Sequence, residues 1–209
     1  MLRWFKPLIF VACLGPLFRL GWKAYAGLLG ANPIEVITHS TGDWTLIFLL
    51  VTLAITPLRK ITGQLWLIRY RRMFGLFAFF YACLHFTTYI WLDKFFDLHE
   101  MWADIAKRKF ITVGFTAFML LIPLAITSTS GWIRRLGGKR WQALHRLIYV
   151  SGILGVIHYL WLVKADIRKP IEYGTVLGLL LAYRVVEKLR ARKPQPALAS
   201  AKRTTILQN

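Results

Sequence analysis

Acidic side chains are scarce in this chain: nine Asp and Glu stand against 28 Lys and Arg, for a formal net charge of +19. An excess of that size draws a protein toward polyanions, yet the basic residues cluster at the ends of apolar runs, where anionic lipid headgroups are the cheaper partner and nucleic acid is not expected. Cysteine is nearly missing. Cys13 and Cys83 stand alone, which excludes a CxxC redox pair, a disulfide framework and a CxxCH attachment site, and leaves two small buried apolar groups. No polar stretch exceeds roughly 15 to 20 residues and no Gly-rich GxGxxG turn is present, so no nucleotide-binding domain is expected. Any reductant must then come from another protein or a membrane-soluble carrier. Gly137 and Gly138 sit in a basic stretch and read as a turn. The first apolar run is broken by charge and has no small-residue cleavage site, so a removable signal peptide is not expected.

What the chain has in quantity is apolar sequence: 56% of its 209 residues are hydrophobic, with 14 Phe and 9 Trp. These fall into six runs near the length that crosses about 30 Å of hydrocarbon. They lie at about 8–29, 41–58, 73–92, 110–126, 143–163 and 171–186. The first is the poorest, interrupted by Pro16, Arg19 and Lys23, whose charges must snorkel or face protein. Several runs are short, so their helices stand nearly upright or extend into the flanking polar residues. The expected fold is an all-α integral membrane protein, a six-helix transmembrane bundle over 1–193, followed by a flexible tail over 194–209.

Charge orients the bundle. Arg59, Lys60, Arg69, Arg71 and Arg72 lie between runs two and three, Arg134, Arg135, Lys139 and Arg140 between four and five, and a further basic group follows run six. Eight of the nine acidic residues lie in the other three connections, near Glu35, Asp93 to Asp104 and Asp166. The positive-inside rule then places both termini, and so the tail, in the cytoplasm, with the acidic connections facing outward.

Three histidines lie inside the apolar runs: His85, His145 and His158. Imidazoles are costly in hydrocarbon and need partners. His85 lies thirteen residues beyond Arg72 and His158 eighteen beyond Arg140. Both runs travel the same way, so the two side chains reach similar depth in the outer half of the membrane. That suits an axial pair on the two faces of one porphyrin. His145 lies nearer the inner edge, roughly 20 Å from His158 along an unbroken helix and about 140° around it. The two cannot serve one plane unless the helix bends, which Gly152 and Gly155 would permit. Such histidines can also bond a neighbouring helix, line a proton path or bind another metal. His39 and His99 are expected in polar outward connections. Arg71 and Arg72, with Arg140 and Arg146, can pair with propionate, flavin phosphate or lipid phosphate. Gly75 and Gly114 could make room for a macrocycle.

The stretches Arg69-Tyr70-Arg71-Arg72-Met73-Phe74-Gly75-Leu76, Leu84-His85, Thr127-Ser128, the run from Leu136 to Tyr149 and His158-Tyr159 resemble the ferric reductase-like transmembrane superfamily. The closer resemblance is to the haem-binding membrane subunits of bacterial protein-methionine-sulfoxide reductase systems. It implies a multi-pass inner-membrane protein with b-type haem, one or two, and an association with FMN. It implies electron relay from a cytoplasmic flavin reductase or membrane quinol to a periplasmic molybdopterin-dependent catalytic subunit. Methionine sulfoxide reduction would occur in that partner, with no catalytic residue here. The ligand positions carry onto His85, His145 and His158, with Arg71 and Arg72 as further cofactor contacts. Where the larger group has a fourth histidine, thirteen or fourteen residues before His85, this chain has Arg72 and Arg71. A charged guanidinium has no free lone pair to offer a metal. The competing expectations are a membrane ferric or cupric metalloreductase, active on chelated metal without a partner, and a haem-free transporter.

Overall fold

A computed structural model describes residues 5–163 and 165–191, so the expected tail lies outside the described residues. These form helices α1 (Phe5–Tyr25), α2 (Pro33–Thr62), α3 (Ile68–Thr88), α4 (Leu98–Lys107), α5 (Lys109–Ile126), α6 (Ser130–Leu136), α7 (Gly138–Leu144), α8 (Leu147–Leu162) and α9 (Arg168–Arg190), with a 3₁₀ turn before α3 and a π turn, Tyr89–Asp93, after it. No strand occurs among the described residues. Five segments are long and apolar enough to cross a membrane: Phe5–Tyr25, Pro33–Thr62, Leu65–Asp93, Lys109–Ile126 and Gly138–Leu162. The sixth run is present as α9, but too charged to meet that standard.

Two expected boundaries move for local reasons. α2 begins well before its apolar run because Asn32 caps it, its side chain accepting from the Glu35 N–H, with Pro33 in the first turn. Its other end is closed by Gly63 at φ 70°. The fifth run is not one helix: α7 and α8 are separated at His145 and Arg146, where the ladder tightens to i→i+3 bonds such as Arg146 N–H to Ala143 C=O. The Gly137–Gly138 turn is there, as a single break between α6 and α7 at φ 74°.

The tightest helix pairs are α2 with α3 and α5 with α8. Phe48 of α2 stacks on Phe74, Phe77 and Tyr81 of α3 at centroid distances of 6.3, 5.6 and 5.3 Å. Ser151 of α8 is buried and donates to the Ala117 carbonyl of α5, a close approach that small residues allow. α1 is fastened by Tyr81, whose hydroxyl donates to the Cys13 carbonyl at 2.9 Å.

α9 is joined to α2 at the basic end. Pro57 has no N–H, so the Leu53 carbonyl has no i+4 donor in its own helix. The Arg184 guanidinium fills that vacancy at 2.6 Å, and also donates to the Tyr149 hydroxyl at 3.1 Å. Lys60 and Glu187 pair nearby. Arg184→Leu is therefore expected to lower stability by about 1–3 kcal/mol, the cost of orphaning a buried carbonyl. Denaturant unfolding in detergent, followed by far-ultraviolet circular dichroism, would measure it; an unchanged midpoint would refute this role.

At the other end, Lys94 is buried among carboxylates, 2.6 Å from Asp104 and 2.7 Å from Glu100. Hydrogen bonds to Asp104 and then Glu100 push its pKa above the usual lysine value, so it stays charged.

Candidate functional site

α2, α3, α5 and α8 enclose a cavity of about 490 Å³ at the acidic end, within the usual range for a small-molecule or cofactor site. His85 of α3 and His158 of α8 both line it. Their ring centroids are 6.1 Å apart, with planes 76° to one another.

Each ring is held by one nitrogen. His85 Nδ1 lies 3.0 Å from the Thr38 carbonyl, with the Thr41 hydroxyl at 3.4 Å. His158 Nδ1 lies 2.7 Å from the Phe110 carbonyl. A carbonyl only accepts, so Nδ1 carries the proton and Nε2 keeps its lone pair in each case. This arrangement orients imidazole as a metal ligand. Two metal–nitrogen bonds of about 2 Å, plus the distance from each nitrogen to its ring centre, span about 6 Å, and the observed separation matches. The donor set therefore suits one metal with two axial imidazoles.

Glycine makes both positions possible. A Cβ on Gly114 would lie 2.5 Å from His158 Nδ1, and one on Gly42 would lie 3.2 Å from His85 Cε1. α5 and α2 thus present bare backbone to the backs of the two rings. Gly75 plays a different part: its missing Cβ faces Thr52 at 3.6 Å, and it does not line the cavity.

The other expected site residues are elsewhere. His145 stacks on Trp141 at 4.0 Å, and its Nε2 lies 3.1 Å from the Thr127 hydroxyl. That hydroxyl donates to the Pro123 carbonyl, so it accepts from Nε2–H. Arg71 is half-buried and Arg72 exposed, both near the start of α3. Neither arginine nor His145 lines the cavity with His85 and His158. His99 is exposed on α4.

His39 corrects an expectation. It is not in an outward connection but on α2, lining the cavity with its ring 6.4 Å from that of Tyr159. The Asn32-Pro33 cap extends the helix past the apolar run, and the polar residues so added turn inward. That signal was legible in the sequence. Arg108 was missed altogether: it precedes α5 and is the one Lys or Arg lining the cavity among the described residues. Nothing in its basic neighbourhood, Lys107-Arg108-Lys109, marks it out. Asp104 holds it at 3.3 Å.

Residues 41–156 of this helical, membrane-spanning bundle match the family of ferric reductase like transmembrane components. The match takes in α3, α5 and α2 from Thr41 onward, so it begins just after His39, and it ends in α8 just before His158. Among characterised proteins, the chain is 59% identical to the protein-methionine-sulfoxide reductase heme-binding subunit MsrQ of Herminiimonas arsenicoxydans, over 93% of this chain and 90% of that protein. It is 57% identical to MsrQ of Rhodospirillum rubrum over 88% and 89% of the two chains, and 53% identical to that of Azospira oryzae over 91% and 82%. The chain belongs to the MsrQ family within the ferric reductase-like transmembrane proteins.

Proposed function

We propose that this protein carries electrons across a bacterial inner membrane through one b-type haem held between His85 and His158. The observation that carries the proposal is the facing pair of imidazoles, each with Nδ1 tied to a backbone carbonyl and Nε2 free. The relatives' printed name, heme-binding subunit, supports the same cofactor. A haem bound there would be held by His85 and His158 and would supply one-electron transfer. The chain's own residues orient the two ligands, exclude water with the packed α2–α3 and α5–α8 pairs, and present His39 and Arg108 at the cavity wall.

The bundle would have six spans, α9 being the sixth, with Arg184 and Glu187 of its last turns joined to α2 at the basic end and Lys169 of its first turn paired with Asp43 at the other. The charge asymmetry supports cytoplasmic termini, with the cavity toward the periplasm. The acceptor is a periplasmic molybdopterin-dependent methionine sulfoxide reductase, in keeping with the relatives' name. The donor is a cytoplasmic flavin reductase or membrane quinol reaching the basic end, where Arg71 and Arg72 are the proposed contacts for an anionic cofactor group such as that of FMN. One haem is proposed because no second histidine ring faces His145 among the described residues. Pyridine-haem analysis of the purified parent and its His85, His145 and His158 variants tests identity and stoichiometry together. One haem in the parent, retained without His145, is the expected result; two would overturn the count.

A further inference from the structure

Residues 94–108 link two membrane-spanning segments that end at Asp93 and resume at Lys109. The link therefore leaves and re-enters the bilayer at the same boundary. Its backbone does something unusual there: Phe95 and Phe96 have φ of 46° and 64°, a left-handed conformation that bulky residues rarely adopt. The effect is to turn two phenyl rings outward, 77% and 64% exposed. Leu98 and Trp102, one turn apart on α4 and so on one face, are exposed beside them in sequence, Trp102 at 64%.

The charges of the same segment point elsewhere. Lys94 is buried against Asp104 and Glu100, and Asp104 also holds Arg108. Lys107 lies about 180° around α4 from Leu98 at ~100° per residue. α4 thus has a face toward the protein at Met101 and Asp104, an apolar face at Leu98 and Trp102, and a polar face at Lys107.

We propose that this segment is an interfacial foot, with Phe95, Phe96, Leu98 and Trp102 embedded in the phospholipid monolayer at that boundary. Lipid is the occupant because both chain ends of the segment are anchored at the membrane surface, and two of its three carboxylates, Glu100 and Asp104, are neutralised by Lys94 while the third, Asp97, caps α4. The run Lys107-Arg108-Lys109 adds attraction for anionic headgroups. The foot also fixes Asp104, and through it Arg108 at the cavity wall.

The test uses the full chain in nanodiscs of phosphatidylethanolamine and phosphatidylglycerol. An environment-sensitive fluorophore is placed on Phe96→Cys, Leu98→Cys or Lys107→Cys, with Cys13 and Cys83 replaced by Ala. Spin-labelled lipid should quench the labels at 96 and 98 at least roughly threefold more than the label at 107, with aqueous iodide giving the reverse order, as expected for side chains about 5–10 Å below the headgroup surface. A second measurement needs no cysteine: brominated lipid should quench a tryptophan component of the parent that is missing in Trp102→Phe. Equal access of iodide to all three labels, or a Trp102 component indifferent to brominated lipid, would overturn the proposal and leave the aromatic face open to a soluble protein.

Discussion

Replacing His158 or His85 by alanine is expected to remove the b-type haem spectrum from a protein that still inserts and folds. Each imidazole would supply one bond to the metal; His39, the one other histidine lining the cavity among the described residues, is on α2 with its ring against Tyr159. Losing a supporting group around a metal typically costs 10- to 100-fold in affinity, and losing the ligand itself costs more. The pyridine-haem signal should fall below about a tenth of the parent's in each variant. Folding is checked separately by circular dichroism, since both side chains face the cavity and their removal leaves the Phe48 aromatic cluster untouched. Unchanged haem content and spectra in both variants would end the ligand assignment.

The second large effect concerns a residue with no side chain. In Gly114→Ala the new Cβ would fall 2.5 Å from His158 Nδ1 and 2.8 Å from Cε1, so the ring must move and give up its bond to the Phe110 carbonyl. The ring then leaves the position that sets it 6.1 Å from that of His85. Haem retention should drop by about tenfold or more, the range seen when the group orienting a metal-bound histidine is lost. Gly42→Ala approaches His85 Cε1 at 3.2 Å, so a shift of a few tenths of an ångström relieves it and the loss should be smaller. Gly178→Ala meets nothing within 4 Å and serves as the control, with haem unchanged and helix propensity slightly improved. Titration of haem into the three purified apoproteins gives the ranking. Full affinity in Gly114→Ala would show that the backing of His158 is not what orients it.

Much of the architecture was legible because hydrocarbon imposes a length and an apolarity that can be read directly. Five of the six runs became spans by those criteria, and α9 fell short because it is charged at both ends, by Arg168, Lys169 and Glu172 in its first turns and Arg184, Glu187 and Lys188 in its last. Those charges have uses that no run-length can reveal: Arg184 answers a carbonyl freed by Pro57, far away in sequence. His39 shows the converse. A polar side chain just before an apolar run looked like part of a connection, whereas the cap at Asn32 carries the helix through it and into the cavity wall. His145 was expected on the same continuous helix as His158, and the break at Arg146 makes that estimate of their spacing inapplicable.

Composition and run length sufficed, on their own, for an all-helical membrane protein, and marked three histidines inside apolar runs as candidates; the family came from the motifs around them. Each of those rests on properties local to a segment: transfer into lipid, the sign of flanking charge, the cost of a lone imidazole. Which histidines meet could only be settled by packing. The 6.1 Å separation of His85 and His158, the carbonyls of Thr38 and Phe110 that orient them, and the bare faces of Gly42 and Gly114 behind them come from four helices brought together. A sequence pattern records each helix's own periodicity, but not the rotation and offset at which one helix meets another.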